Sequence, residues 1–157
     1  MWLAEQYCIE FRYFGRVVLT NHDVPSWRED LPENCPPAEA APLNNLKLMR
    51  LVGPHDVVES DFASHAALGY TCHMEDKECE WASCSMFLPS LAPHQLRDLR
   101  KFKRLKSKTS IVYVQVHSSA GVAVIKPTRH VDMWFYDSFS PTQAIVATVP
   151  LDEYVPA

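Results

Sequence analysis

The chain has 157 residues, 47% hydrophobic and 22% charged, with a formal net charge of −4. That is enough for one ordinary domain with its own core, it excludes wholesale disorder, and the negative balance disfavours a nucleic-acid partner. The four glycines, Gly15, Gly53, Gly69 and Gly121, lie far apart, which excludes the phosphate-cradling P-loop and the dinucleotide fingerprint.

No run approaches the ~18 apolar residues of a membrane span, and Met1–Trp2 opens no charged-then-apolar leader, so a soluble cytoplasmic protein with no membrane partner is expected. The five cysteines, Cys8, Cys35, Cys72, Cys79 and Cys84, are odd in number, which argues against a disulfide framework and for a reducing compartment. Six residues separate Cys72 from Cys79 and four separate Cys79 from Cys84. The first gap misfits the two-to-four spacing of structural zinc, so no metal is expected and free thiols are.

Along the chain, residues 7–19 begin with period two: Tyr7, Ile9, Phe11 and Tyr13 share one face and Glu10 and Arg12 the other, a half-buried strand. Five prolines between Asp23 and Asn45 then preclude regular structure. The expected organisation is an N-terminal arm over 1–22, a proline-rich connection over 23–45 held by Trp27, and a core domain over 46–157. A strand separated by such a connection must pair with a sheet edge, its own or a second copy's, and a homodimer is expected.

Leu46–Val52 is a strand stopped by Gly53-Pro54. Ser60 is placed to cap a helix reaching Leu68, with Gly69 as its stop. A polar acidic loop over 70–80 and a short apolar element, Trp81–Leu88, follow. Pro93 starts a helix expected over 93–106, with Leu96, Leu99, Phe102 and Leu105 as its apolar stripe. Ile111–Val116 is β-branched and almost continuously apolar, the pattern of a central strand. Strands over 122–125, 131–137 and 144–151 complete an α+β fold, a mostly antiparallel sheet with about two main helices packed on it.

Two constellations carry chemistry. Seven of the fifteen basic residues lie in positions 97–108: Arg97, Arg100, Lys101, Lys103, Arg104, Lys106 and Lys108. Like charges at helical spacing repel, so an anion must offset them. It comes either from the acidic loop, Glu75, Asp76, Glu78 and Glu80, or from an acidic protein or phosphate-bearing ligand. The expected function is therefore a binding module that engages such a partner through this basic helix, with no cofactor.

The second constellation is polar: Arg50, Ser83, Ser85, His117, Arg129, His130, Asp132 and Asp137, at the expected strand ends. His130 and Asp132, two residues apart on a strand, share one face, the raw material of acid–base catalysis. No Gly-x-Ser-x-Gly elbow and no His-Glu-x-x-His motif is present.

Leu48-Met-Arg-Leu-Val52, Asp61-Phe-Ala-Ser-His-Ala-Ala-Leu-Gly69, Ala82-Ser-Cys-Ser85, the basic helix before Ile111 and His130-Val-Asp-Met-Trp134 together resemble a recurrent bacterial domain. Their order also resembles, remotely, the ADP-ribosyltransferase fold. That resemblance implies an alternative function, an NAD-dependent transferase or toxin, active or not. Arg50 would then contact NAD phosphates or ribose, and Ser83 and Ser85 would form the Ser-x-Ser element on the nicotinamide-ribose side. The chain departs from that pattern at the catalytic glutamate. After Glu80 its only glutamate is Glu153, so Asp132 or Asp137 would have to serve.

Overall fold

The computed structural model describes residues 25–157. The strand expected over 7–19, and with it the arm-mediated dimer contact, lies outside the described residues.

One seven-stranded antiparallel sheet organises the molecule. Its strands are β1 (Ala41–Pro42), β2 (Leu46–Val52), β3 (Cys84–Phe87), β4 (Ser110–Val116), β5 (Gly121–Ile125), β6 (His130–Phe135) and β7 (Ile145–Pro150), in the order β1-β5-β6-β3-β2-β4-β7. Two short helices, α1 (Glu78–Trp81) and α2 (Pro93–Leu99), complete the α+β architecture. Among the described residues no helix is long and apolar enough to cross a membrane.

The centre of the sheet is β2 on β4, paired along seven residues from Leu46↔Val116 to Val52↔Ser110. Alternation sends successive side chains of these strands into two separate cores. On one face Leu48, Val52, Met86, Val112, Val114, Val131 and Met133 pack around Phe62. On the other, Met49, Leu51, Phe87 and Ile111 meet Leu91, Leu96 and Leu151. A strand buried on both sides has no polar face to show, which is why β4 reads as nearly continuous apolar sequence.

The two expected helices both end early, for different reasons. Over 60–68 only a 3-10 turn forms, Glu59–Phe62. The Arg50 guanidinium takes the Asp61 carbonyl (2.9 Å) and the Ala63 carbonyl (3.4 Å), acceptors that a continuing helix would use itself. Asp61, not Ser60, closes the start of the turn by accepting the Val58 N–H at 3.0 Å. The basic helix expected over 93–106 stops at Leu99 and resumes as a 3-10 turn, Lys103–Leu105. Phe102 takes an extended backbone (φ −69°, ψ 130°) and is 63% exposed. It therefore leaves the apolar stripe, while Leu99 and Leu105 still pack on the second core. Among the described residues Asp98 alone is in an ion pair with this stretch, and like-charge repulsion at i,i+4 opposes the continuous helix.

The proline-rich segment is strapped to the sheet throughout its described part. Trp27 bridges Tyr136, with ring centroids 4.9 Å apart. The Arg28 N–H donates to the Phe135 carbonyl at 3.0 Å, and β1 extends the sheet beside β5. Of the glycines described, Gly121 has the closest neighbour. Its φ is +149°, and a Cβ there would lie 2.0 Å from the Trp134 carbonyl oxygen, so a side chain would push β5 off β6.

The odd cysteine count predicts free thiols, but not all of the cysteines are free. Cys35 and Cys79 form a disulfide, Cα–Cα 5.4 Å, that joins the proline-rich segment to α1 across 44 positions of sequence. Cys84 is a buried free thiol and Cys72 a partly buried one. The bond removes the cysteine count as support for a reducing compartment. Spacing could not reveal the pair, because the fold and not the local chain brings its two halves together.

Candidate functional site

The groove beside β3 and β6 is built by strand register. Ser85 faces Asp132 and Phe87 faces His130 across the antiparallel pair, so Ser85, His130 and Asp132 emerge on one side of the sheet. The Ser85 Oγ lies 2.6 Å from His130 Nε2. The other ring nitrogen, His130 Nδ1, lies 3.4 Å from Asp132 Oδ1. Asp132 is 3% exposed, and its oxygens are divided among partners. Ser83 Oγ, which donates to the Glu80 carbonyl at 2.7 Å, lies 3.2 Å from Oδ1, while Lys126 Nζ sits 2.8 Å from Oδ2.

A chain of alternating charge runs on from there. Lys126 Nζ reaches Glu80 Oε2 at 2.7 Å, and Glu80 Oε1 meets Lys77 Nζ at 2.5 Å. Hydrogen bonds from Lys126 and Lys77 hold the Glu80 carboxyl below its ordinary value. Burial works against the Lys126 ammonium, but Asp132 and Glu80 outweigh it and raise its pKa. Burial lowers His130, with Asp132 partly offsetting it, so the imidazole favours its neutral form, in which one nitrogen accepts.

Ser83, Ser85, His130, Asp132, Glu80 and Lys77 line a half-open groove of about 170 Å³, with Met74, Trp81 and His65 as its less polar wall. His65 lies 4.6 Å from the Trp81 ring, centroid to centroid. Burial, then Arg104, Arg50 and His130, lower its pKa to about 4. The Arg104 guanidinium sits 5.3 Å from the Trp81 centroid, a cation–π contact that joins the basic segment to the groove.

The expected site residues are thus sorted. Ser83, Ser85, His130 and Asp132 come together. Arg50 is nearby but committed, its fork held by the Ser85, Asp61 and Ala63 carbonyls. A phosphate contact there would have to displace those bonds. Asp137 accepts from Ser26 Oγ at 2.6 Å and Arg129 donates to Ser90 Oγ at 2.7 Å. Neither lines the groove. No family model, curated protein or solved structure matches this chain. Among the described residues no three His, Cys, Asp or Glu side chains are grouped to hold a metal ion.

Lys77, Glu80, Trp81, Lys126 and His65 were not singled out as groove residues by sequence. The sequence places Glu80 in an acidic loop able to fold over the basic helix. Instead both of its oxygens turn to Lys77 and Lys126. These five residues come from three separate stretches of chain, and no local period links them. In the basic segment, Arg97, Arg100, Lys101, Lys103, Arg104 and Lys106 are exposed and Lys108 is partly buried.

Proposed function

We propose that the protein is a binding module whose basic segment, residues 97–108, engages an acidic or phosphate-bearing segment of a partner. What supports this is where the internal anions go. Glu80 is used by Lys77 and Lys126, and Glu75, Asp76 and Glu78 are exposed, with no ion pair among the described residues. Asp98, paired with Lys101 at 2.6 Å, is the one carboxylate in an ion pair with the segment among the described residues. Six exposed cations therefore flank an exposed aromatic, Phe102, along the chain. Such a surface attracts anions through water, and the apolar ring adds contact area once they arrive. The net charge of −4 opposes a long polyanion and favours a short anionic segment.

The test is fluorescence anisotropy of the full chain with a labelled oligo-phosphoserine peptide and a labelled oligo-glutamate peptide, at two salt concentrations. Wild-type binding should weaken steeply with salt, because exposed charges are screened over ~8 Å at physiological ionic strength. Combining Arg97→Gln, Arg100→Gln, Lys103→Gln and Lys106→Gln should weaken binding at least about tenfold and flatten the salt dependence. Equal binding by the variant, or no salt dependence, would sink the proposal.

A further inference from the structure

We propose that Ser85, His130 and Asp132 form a nucleophile, base and orienting carboxylate that hydrolyse short-chain acyl esters in the groove beside β3 and β6. Geometry carries the inference. A serine hydroxyl lies 2.6 Å from one imidazole nitrogen, and a nearly fully buried carboxylate lies 3.4 Å from the other. That is the arrangement by which an ordinary alcohol becomes a nucleophile. The Asp132 oxygens are divided, so Lys126 on Oδ2 steadies the carboxylate without taking the oxygen that faces His130. A longer base–carboxylate distance is common before substrate tightens a site. The His130 side chain is 26% exposed and, with Ser85, lines open space. A histidine buried only for packing has no such access.

Size and lining name the substrate class. The volume of about 170 Å³ is below the roughly 300 Å³ at which pockets begin to take drug-sized ligands. It suits a short acyl group, with Met74 and Trp81 for the apolar part. A developing oxyanion needs a donor. His65, whose pKa is lowered to about 4, lines the same groove, and a neutral imidazole carries one N–H that can donate to a developing oxyanion.

The steps balance. Ser85 Oγ bonds to the ester carbonyl carbon as its proton passes to His130 Nε2. The carbon–oxygen bond to the alcohol then breaks, and the alcohol leaves with that proton. Water adds to the acyl-serine, gives a proton to His130, and Ser85 departs with it. The sum is ester plus water to carboxylic acid plus alcohol.

The full chain is treated with a fluorophosphonate probe and read by intact mass and peptide mapping, and p-nitrophenyl acetate turnover is followed in parallel. One adduct on Ser85 is expected in the wild-type protein. Ser85→Ala and His130→Gln should remove the adduct and lower turnover at least about hundredfold. Ser118→Ala, a matched deletion at an exposed serine, should keep both. An adduct mapped elsewhere, or no adduct on the folded wild-type chain, overturns the proposal. So does turnover that survives Ser85→Ala. Mapping on the wild-type chain needs no variant, so it decides the matter even if Ser85→Ala proves unstable.

Discussion

The groove and the basic segment touch at Trp81, yet they treat charge in opposite ways. In the groove, Lys77, Glu80, Lys126 and Asp132 alternate in sign, and every one of them has a partner within 2.8 Å. Along residues 97–108 six cations are exposed and Lys108 is partly buried, with one carboxylate paired to the segment among the described residues. Paired, partly buried charges hold side chains at fixed positions, which positional chemistry requires. Solvated like charges hold nothing in place but project a field, which suits encounter with a partner. The lesson is that charge count alone does not rank candidate sites: pairing and burial decide which kind of work a charged residue can do.

The largest test of this contrast is the disulfide, which fastens the groove wall and leaves the basic segment untouched. For a loop closed across 44 positions the chain-entropy estimate is about 4 kcal/mol. Cys35→Ser should lower the free energy of unfolding by about 2–4 kcal/mol in denaturant titration. Little change would mean that the wall around Glu80 and Trp81 is held by its other contacts.

Asp132→Ala comes next. It removes a buried carboxylate and leaves Lys126 with Glu80 alone, while Ser83 keeps the Glu80 carbonyl at 2.7 Å. A cost of about 2–3 kcal/mol is expected, less than for a fully buried pair because Lys126 keeps some solvent. Urea-induced unfolding measures it. A loss under about 1 kcal/mol would show that the charge chain is no more structural than the surface cations.

Acid should separate the regions more gently. His65 in the folded protein has a pKa of about 4, below its ordinary value of 6.5, through burial and then Arg104, Arg50 and His130. As pH falls below about 6.5 the unfolded chain takes up the proton first, so stability declines from there down to about 4 and then levels off for this group. The lowered His130 acts in the same direction. Melting temperatures across this window should fall for the wild type and fall less steeply for His65→Gln. Identical slopes would contradict the groove environment described for His65.

The smallest effect belongs to the surface. Lys103→Gln with Lys106→Gln should change stability by no more than about 0.5 kcal/mol, since both side chains are exposed and neither is in an ion pair among the described residues. Thermal melts at low and high salt check this. A clear stabilisation at low salt alone would show that self-repulsion along the segment is larger than its solvent exposure implies.

Much of the architecture was legible before the fold. The strands at 46–52 and 111–116 carry their pattern locally, and the structure has Leu46–Val52 and Ser110–Val116. His130 and Asp132 were legible as a pair because two residues along a strand always share a face. Their hydroxyl partner was not legible as such. Ser85 lies 45 positions from His130, and only the register of β3 against β6 makes them neighbours. The short helices were misjudged because periodicity and caps describe what a segment prefers alone. They do not include the Arg50 guanidinium claiming the Asp61 and Ala63 carbonyls.

By itself the sequence determined the α+β class, the apolar rows that bury the sheet on both faces, and the density of positive charge over 97–108. Each follows from spacing along the chain, because backbone geometry converts a period of two or of 3.6 into a face. Only the tertiary structure decided that Cys35 meets Cys79, that Glu80 serves Lys77 and Lys126 rather than the basic segment, and that Ser85 meets His130. Apart from Glu80 with Lys77, three positions away, those contacts join residues more than forty positions apart. Their energies depend on distances of a few ångströms, set by strand order, register and the packing of loops across the sheet.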